Sequence, residues 1–147
     1  MRSTRERSAY GSTMGEGPHC QSYGLTRDSL TAFPEEHLEF IRQVELYYQT
    51  KHYFLVHAGA PAGQTLARSV EDPEARHTFL WGRNHINAPE TPWEKTVIFG
   101  HTPRAELIRR PNMIGIDTGC VFASPGMGNL TALVLPQEEV VQQKRLD

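Results

Sequence analysis

The chain has 147 residues, a formal net charge of −2, and ordinary proportions of hydrophobic (38%) and charged (22%) residues. This length suits one globular domain, and the near-neutral charge offers no basic field for nucleic acid or for a membrane surface. No apolar run approaches the roughly 20 residues of a membrane span. The first residues also lack the apolar stretch of a secretory signal, so we expect a cytoplasmic protein with its two cysteines reduced.

The first predicted elements are a tail and a helix. Residues 1–20 contain arginine, serine, threonine and glycine with few apolar side chains, which predicts a flexible tail before a folded part at 21–147. Over 34–49, Pro34 suits a first helical position and the next two glutamates suit the positive end of a helix dipole. Apolar residues at helical spacing follow, so an amphipathic helix is predicted there.

Beyond residue 50 the spacing of apolar residues becomes that of β-strands. Short apolar runs bounded by glycine and proline are typical of strands that are buried on both faces. The runs are 53–56, 96–99, 113–116, 130–135 and a weaker one centred on 140–141. A short helix is predicted over 73–81 and a loop over 84–95. The pattern as a whole indicates an α/β fold.

Two of the predicted strands end in the same way, in a small polar cluster that contains histidine. Val56 is followed by His57, Ala and Gly, and Phe99 is followed by Gly, His101, Thr and Pro. Ligands of layered α/β proteins collect outside the carboxyl ends of strands, and imidazole is a common metal ligand. The spacing alone leaves two interpretations open, because each histidine can equally hydrogen-bond a loop carbonyl.

A succession of short motifs runs through most of the chain. In order they are SYG at 22–24, FPEEHLEFI at 33–41, YFLVHAG at 53–59, LWGR at 80–83, VIFGHTP at 97–103, IGIDTGC at 114–120 and LTALVLP at 130–136. From about residue 20 to residue 136 this order resembles the second half of the calcineurin-like metallophosphoesterase superfamily. It is most similar to the bacterial phosphoprotein (serine/threonine) phosphatases and their diadenosine-tetraphosphatase relatives. The resemblance implies the C-terminal half of a four-layer α/β/β/α sandwich.

The resemblance also implies roles for individual residues. The family hydrolyses phosphoesters with two divalent metal ions of the Mn, Fe or Zn class, which bind the phosphate and a bridging water. By position, His57 and His101 correspond to metal ligands, and Arg83 corresponds to an arginine that contacts the phosphate. A guanidinium can hold two phosphate oxygens at once. Asp117 corresponds to a structural carboxylate in a turn.

The family's first-half motifs are not found in these residues. There is no GD dipeptide, so the GDxHG and GDxVDRG segments are absent, and no GNH[ED] turn supplies the general acid. Asn84 and His85 echo that last motif, but they lack its glycine and lie too late in the order. We therefore expect a phosphatase that is inactive as this chain alone, and no catalytic residue is assigned.

Three origins fit a chain of this kind: a truncated gene product, which we favour, one half of a split enzyme, or a non-catalytic interaction module. By family the substrate is a phosphorylated protein, with dinucleoside polyphosphates as the alternative. The resemblance predicts that the apolar surface left by the missing half drives self-association or binds a complementing N-terminal half.

Overall fold

The computed structural model describes residues 34–146, and the predicted tail at 1–20 lies outside them. The chain divides into two units after Val44. In the first unit the described element is helix α1, Glu35–Gln43, whose Arg42 forms ion pairs with Glu35 and Glu39. In the described residues, no helix is both long and apolar enough to cross a membrane.

The second unit has a mixed α/β fold, with one five-stranded sheet and one two-stranded hairpin. The strands of the sheet are β1 (Tyr47–Gln49), β2 (Tyr53–Val56), β3 (Thr96–Phe99), β4 (Ile108–Arg110) and β5 (Met113–Gly115). The hairpin consists of β6 (Asn129–Val134) and β7 (Glu139–Lys144). Between β2 and β3 lie helices α2 (Leu66–Glu71) and α3 (Ala75–Trp81) and a 3-10 helix (Asn84–Asn87).

The order of the strands decides where the loops meet. The sheet runs β1-β2-β3-β5-β4, in which β2, β3 and β5 are parallel and the two edge strands are antiparallel to their neighbours. In the central pair Val56 lies opposite Phe99, so β2 and β3 end level with each other. The segments that follow β2, β3 and β5 therefore leave the sheet at one common edge.

The core lies where the crossover helices cover the parallel strands. Phe54, Val97, Phe99 and Met113 from the sheet are almost completely buried, together with Phe79 from α3. Burying one such phenylalanine stabilises a fold by roughly 1.5–3 kcal/mol. This cluster fixes β2 and β3 relative to the helical crossover, and thereby fixes the loops at their ends.

Most of the predicted strands are confirmed, but two predictions are wrong. The helix expected over 34–49 ends at Gln43, and residues 47–49 instead form an edge strand that pairs with β2. Aromatic residues favour strands, and Tyr47 gains a stacking contact with Phe54 at 4.9 Å between ring centroids. Strand β6 was expected to be covered on both faces, yet its residues alternate between half-buried and exposed, because it belongs to an antiparallel hairpin.

Candidate functional site

The ends of β2 and β3 bring two histidines into contact. His57 and His101 are 44 residues apart in sequence, and Nε2 of His57 lies 3.0 Å from Nδ1 of His101. The two rings meet edge to face, with 4.8 Å between their centroids. The Gly100 N–H donates to the His57 carbonyl at 2.9 Å, which ties one turn to the other. The predicted pair thus shares one location at the carboxyl edge of the sheet.

The backbone at His101 adopts a conformation that side chains rarely permit. Its φ is 65°, and the Thr102 N–H donates across it to the Gly100 carbonyl at 2.7 Å, the pattern of a strained γ-turn. A left-handed residue other than glycine costs on the order of 1–3 kcal/mol and persists only where its surroundings enforce it. Here the next turn is held by the Arg104 N–H, which donates to the Asp117 carbonyl at 3.0 Å. The strain lies at the residue whose imidazole faces His57.

The segment after α3 supplies the third predicted residue. Nη2 of Arg83 lies 3.3 Å from Nε2 of His101, and the Trp81 ring packs edge-on against the same imidazole at 5.6 Å. Arginine has donors only, so Nε2 of His101 accepts this hydrogen bond. A neutral His101 then carries its proton on Nδ1 and donates it to His57 Nε2. Two successive hydrogen bonds therefore connect Arg83 to His101 and His101 to His57.

The surroundings of His101 favour its neutral form. Burial is the main cause that lowers its pKa from 6.5, and the nearby charges of His57 and Arg83 act in the same direction. Asp117 opposes them. The Asp117 carboxylate itself accepts a hydrogen bond from the Gly119 N–H at 3.0 Å, which is the turn role predicted for it. The balance of these causes favours the neutral imidazole of His101.

The spacing of the two imidazole nitrogens suits one metal ion. Ligand nitrogens about 2.1 Å from an ion are roughly 3.0 Å apart at a right angle and about 3.4 Å apart in a tetrahedron. The observed 3.0 Å between His57 Nε2 and His101 Nδ1 agrees with such a pair. In residues 34–146, however, no group of three or more histidine, cysteine or acidic side chains is arranged to hold a metal. Among the described residues, the two imidazoles are therefore not part of a larger cluster of metal ligands.

A third histidine, to which the motifs assign no role, lies beneath the two turns. His85 in the 3-10 helix is 1% exposed and meets Phe99 edge to face at 4.5 Å. A Cβ at Gly59, two residues after His57, would lie 2.0 Å from Cε1 of His85. Neither ring nitrogen of His85 has a hydrogen-bond partner among the described residues, and burial lowers its pKa to about 4. Gly59 in the HAG turn is the sequence feature that indicates this contact, because glycine is favoured where another group approaches the backbone closely.

The comparisons with known proteins point to one enzyme class. Over 69 residues, which are 41% of this chain, it is 38% identical to a symmetrical bis(5'-nucleosyl)-tetraphosphatase of Janthinobacterium sp. (strain Marseille). Over 49 residues, which are 33% of the chain, it is 45% identical to the enzyme of the same name from Bordetella pertussis. The matches span only 24% and 16% of those relatives. No protein-family profile matches the chain.

The chain thus has partial, distant similarity to symmetrical bis(5'-nucleosyl)-tetraphosphatases, members of the metal-dependent calcineurin-like metallophosphoesterases. This agrees with the superfamily that the motifs predicted. It does not support the finer prediction of a serine/threonine protein phosphatase, because the similar relatives carry the tetraphosphatase name.

Proposed function

We propose that this chain contributes one side of the active site of a metal-dependent hydrolase of dinucleoside polyphosphates. The observation that carries the proposal is the contact of three side chains from separate segments: His57, His101 and Arg83. Two imidazoles beside a guanidinium form a neutral ligand pair next to a fixed positive charge. Such a group suits a metal-bound phosphate better than it suits an uncharged substrate.

Each residue has a role within this proposal. His57 and His101 would hold one divalent ion through Nε2 and Nδ1, and Arg83 would orient a phosphate through paired N–H donors. A bound ion of this kind supplies Lewis-acid polarisation of a phosphoryl oxygen. To act as a ligand, Nδ1 of His101 must give up its proton to Nε2, which then no longer accepts from Arg83.

The substrate class follows from the relatives. Their names specify bis(5'-nucleosyl) tetraphosphates, and we extend that class to this chain. A phosphorylated protein is the second substrate class, indicated by the motif resemblance, but the comparisons do not favour it. Measuring hydrolysis of a dinucleoside tetraphosphate and of a phosphopeptide distinguishes the two substrate classes.

A site for two divalent ions needs ligands beyond His57 and His101. Two neutral imidazoles supply no negative charge for a pair of dications, whose preferred ligands are carboxylates. We propose that these carboxylates come from a segment with GDxHG and GNH[ED] motifs, which packs as the other half of the four-layer sandwich. A complementing N-terminal half from one of the tetraphosphatases supplies such a segment for experiments.

A binding experiment tests the site before any activity is required. We expect Mn²⁺ to bind weakly to the purified chain by isothermal titration calorimetry, and to bind no longer when His57 and His101 are both replaced by alanine. His52→Ala is the matched control, because His52 is exposed and precedes β2. Equal Mn²⁺ affinity in the double variant and the wild type would refute the assignment of the two histidines.

Activity is then measured on the complemented protein. Co-purified with the N-terminal half, the chain should hydrolyse diadenosine tetraphosphate in a Mn²⁺-dependent reaction that His101→Ala abolishes. Preference for a phosphoserine peptide would overturn the substrate class while leaving the site in place. Hydrolysis that His101→Ala leaves intact would overturn the site.

A further inference from the structure

A cavity of about 580 Å³ opens beside the histidine pair, between the turn after β2 and the end of α3. The volume lies within the range of small-molecule sites. Two of its lining residues, Trp81 and Arg83, are the same two that contact His101. The cavity is therefore continuous with the place where Arg83 would hold a phosphate.

The walls of this cavity combine aromatic surface with positive charge. Trp81 is 46% exposed, an unusual state for so large an apolar ring, and His77 and Pro61 also line the space. Among residues 34–146, none of those that line the cavity is acidic, although the chain contains 17 aspartates and glutamates. A flat ring that carries a negative group satisfies both features, because it stacks on indole while its charge meets Arg83.

The floor of the cavity includes a polar group that lacks a partner. His85 lines the space, is 1% exposed, and has no hydrogen-bond partner on either ring nitrogen among the described residues. A neutral imidazole has one donor and one acceptor, and leaving both unsatisfied in the interior is costly.

From these features we infer that the cavity is a nucleobase subsite, which holds the base of a nucleotide whose phosphate lies at Arg83. This inference rests on the proposed function and names the part of the substrate that the histidine pair does not explain. Trp81 provides the stacking surface and Arg83 the phosphate contact. The buried His85 ring forms part of the floor beneath the base. The side chain of a phosphoserine would leave this space unfilled.

One position allows the cavity to be filled without disturbing the fold. Gly63 lines the space, and a Cβ built there meets no atom within 4 Å. Gly63→Leu should therefore fold normally and occupy the space, whereas Gly63→Ala makes the same change to the backbone with little added volume. Trp81→Ala removes the stacking surface by an independent route.

The test compares two probes that differ only in the base, AMP and ribose 5-phosphate, titrated calorimetrically in the presence of EDTA. We expect the wild type and Gly63→Ala to bind AMP about tenfold more tightly than ribose 5-phosphate. In Gly63→Leu and in Trp81→Ala the ratio should fall to about one. Arg83→Gln should weaken both probes by the same factor.

The outcomes separate this inference from the proposed function. Equal affinity of the wild type for AMP and ribose 5-phosphate would overturn the nucleobase subsite and leave the phosphate site standing. A preference for AMP that survives both Gly63→Leu and Trp81→Ala would also overturn it, since the base would then lie elsewhere. Adenosine, titrated as a third probe, carries the base without the phosphate. Its binding without any binding of ribose 5-phosphate would keep the subsite and overturn the phosphate role of Arg83. If neither AMP nor ribose 5-phosphate binds, the nucleobase subsite and the phosphate role of Arg83 are both refuted.

Discussion

Replacing Arg83 by glutamine should change metal affinity and phosphate affinity in opposite directions. The guanidinium contacts His101 Nε2 at 3.3 Å, while the proposed ion lies on the other side of the same ring, at Nδ1. Adding the width of the ring and the distance from Nδ1 to the ion places the positive charge about 7 Å from the ion. Removing it should tighten Mn²⁺ binding and weaken phosphate binding.

The size of the metal effect follows from Coulomb's law. One positive charge about 7 Å from a dication costs about 1.2 kcal/mol in a water-like dielectric, which is about an eightfold change in affinity. Screening at 0.15 M salt, with a Debye length of about 8 Å, reduces this to roughly twofold. A bidentate charged hydrogen bond to phosphate contributes about 1.5–3 kcal/mol, so phosphate should bind about 10- to 100-fold more weakly.

Calorimetric titration with MnCl₂ at low and at physiological salt measures the first effect, and titration with ribose 5-phosphate measures the second. Arg76→Gln removes an equal charge from the exposed surface of α3 and should leave both affinities nearly unchanged. If Arg83→Gln weakens Mn²⁺ binding, or tightens it equally at all salt concentrations, the competition between guanidinium and ion for His101 is refuted.

Three further predictions concern the fold around the site. Gly59→Ala should destabilise the protein by roughly 1–3 kcal/mol in urea unfolding, because its Cβ would lie 2.0 Å from the His85 ring. This penalty should largely vanish in a His85→Ala background, and additive effects of the two substitutions would contradict the explanation. Between pH 6.5 and pH 4, His85 takes up a proton more readily in the unfolded chain than in the folded one, because burial lowers its pKa to about 4. The free energy of unfolding should therefore drop by about 3 kcal/mol as the pH falls through this range, and the drop should be smaller in His85→Leu. An undiminished drop in that variant would assign the acid sensitivity to other groups. At His101, whose φ is 65°, a valine should destabilise the fold about 1–3 kcal/mol more than an asparagine, and equal stabilities by urea unfolding would show that the turn relaxes.

The sequence predicts the parallel strands well because their apolar runs are short and sharply bounded. Residues 53–56 and 96–99 form strands with the predicted limits, and the rule for parallel sheets then accounts for the meeting of His57 and His101. The similarity to the superfamily was indicated by the order of the motifs, which combines residues that no local pattern relates.

Other features were hidden by physical ambiguity. Tyr47 and Tyr48 continue the apolar stripe of the preceding helix, so helical spacing and strand preference compete there, and pairing with β2 decides the outcome. Strand β4, Ile108–Arg110, is too short and too polar for a periodic signal. The burial of His85 depends on Gly59 and Phe99 meeting in space, and no spacing in the sequence encodes that meeting.

The position of the site within one strand–helix–strand crossover has a consequence for how it assembles. All three predicted residues lie between the end of β2 and the turn after β3, so the site forms when those two strands align. Parallel strands cannot be joined by a short hairpin, so β2 and β3 can pair only after the crossover of some forty residues between them has folded back. The histidine contact should therefore appear late in refolding, together with slow amide exchange in 54–56 and 97–99. Any opening of this crossover exposes the core and separates His57 from His101 in the same event.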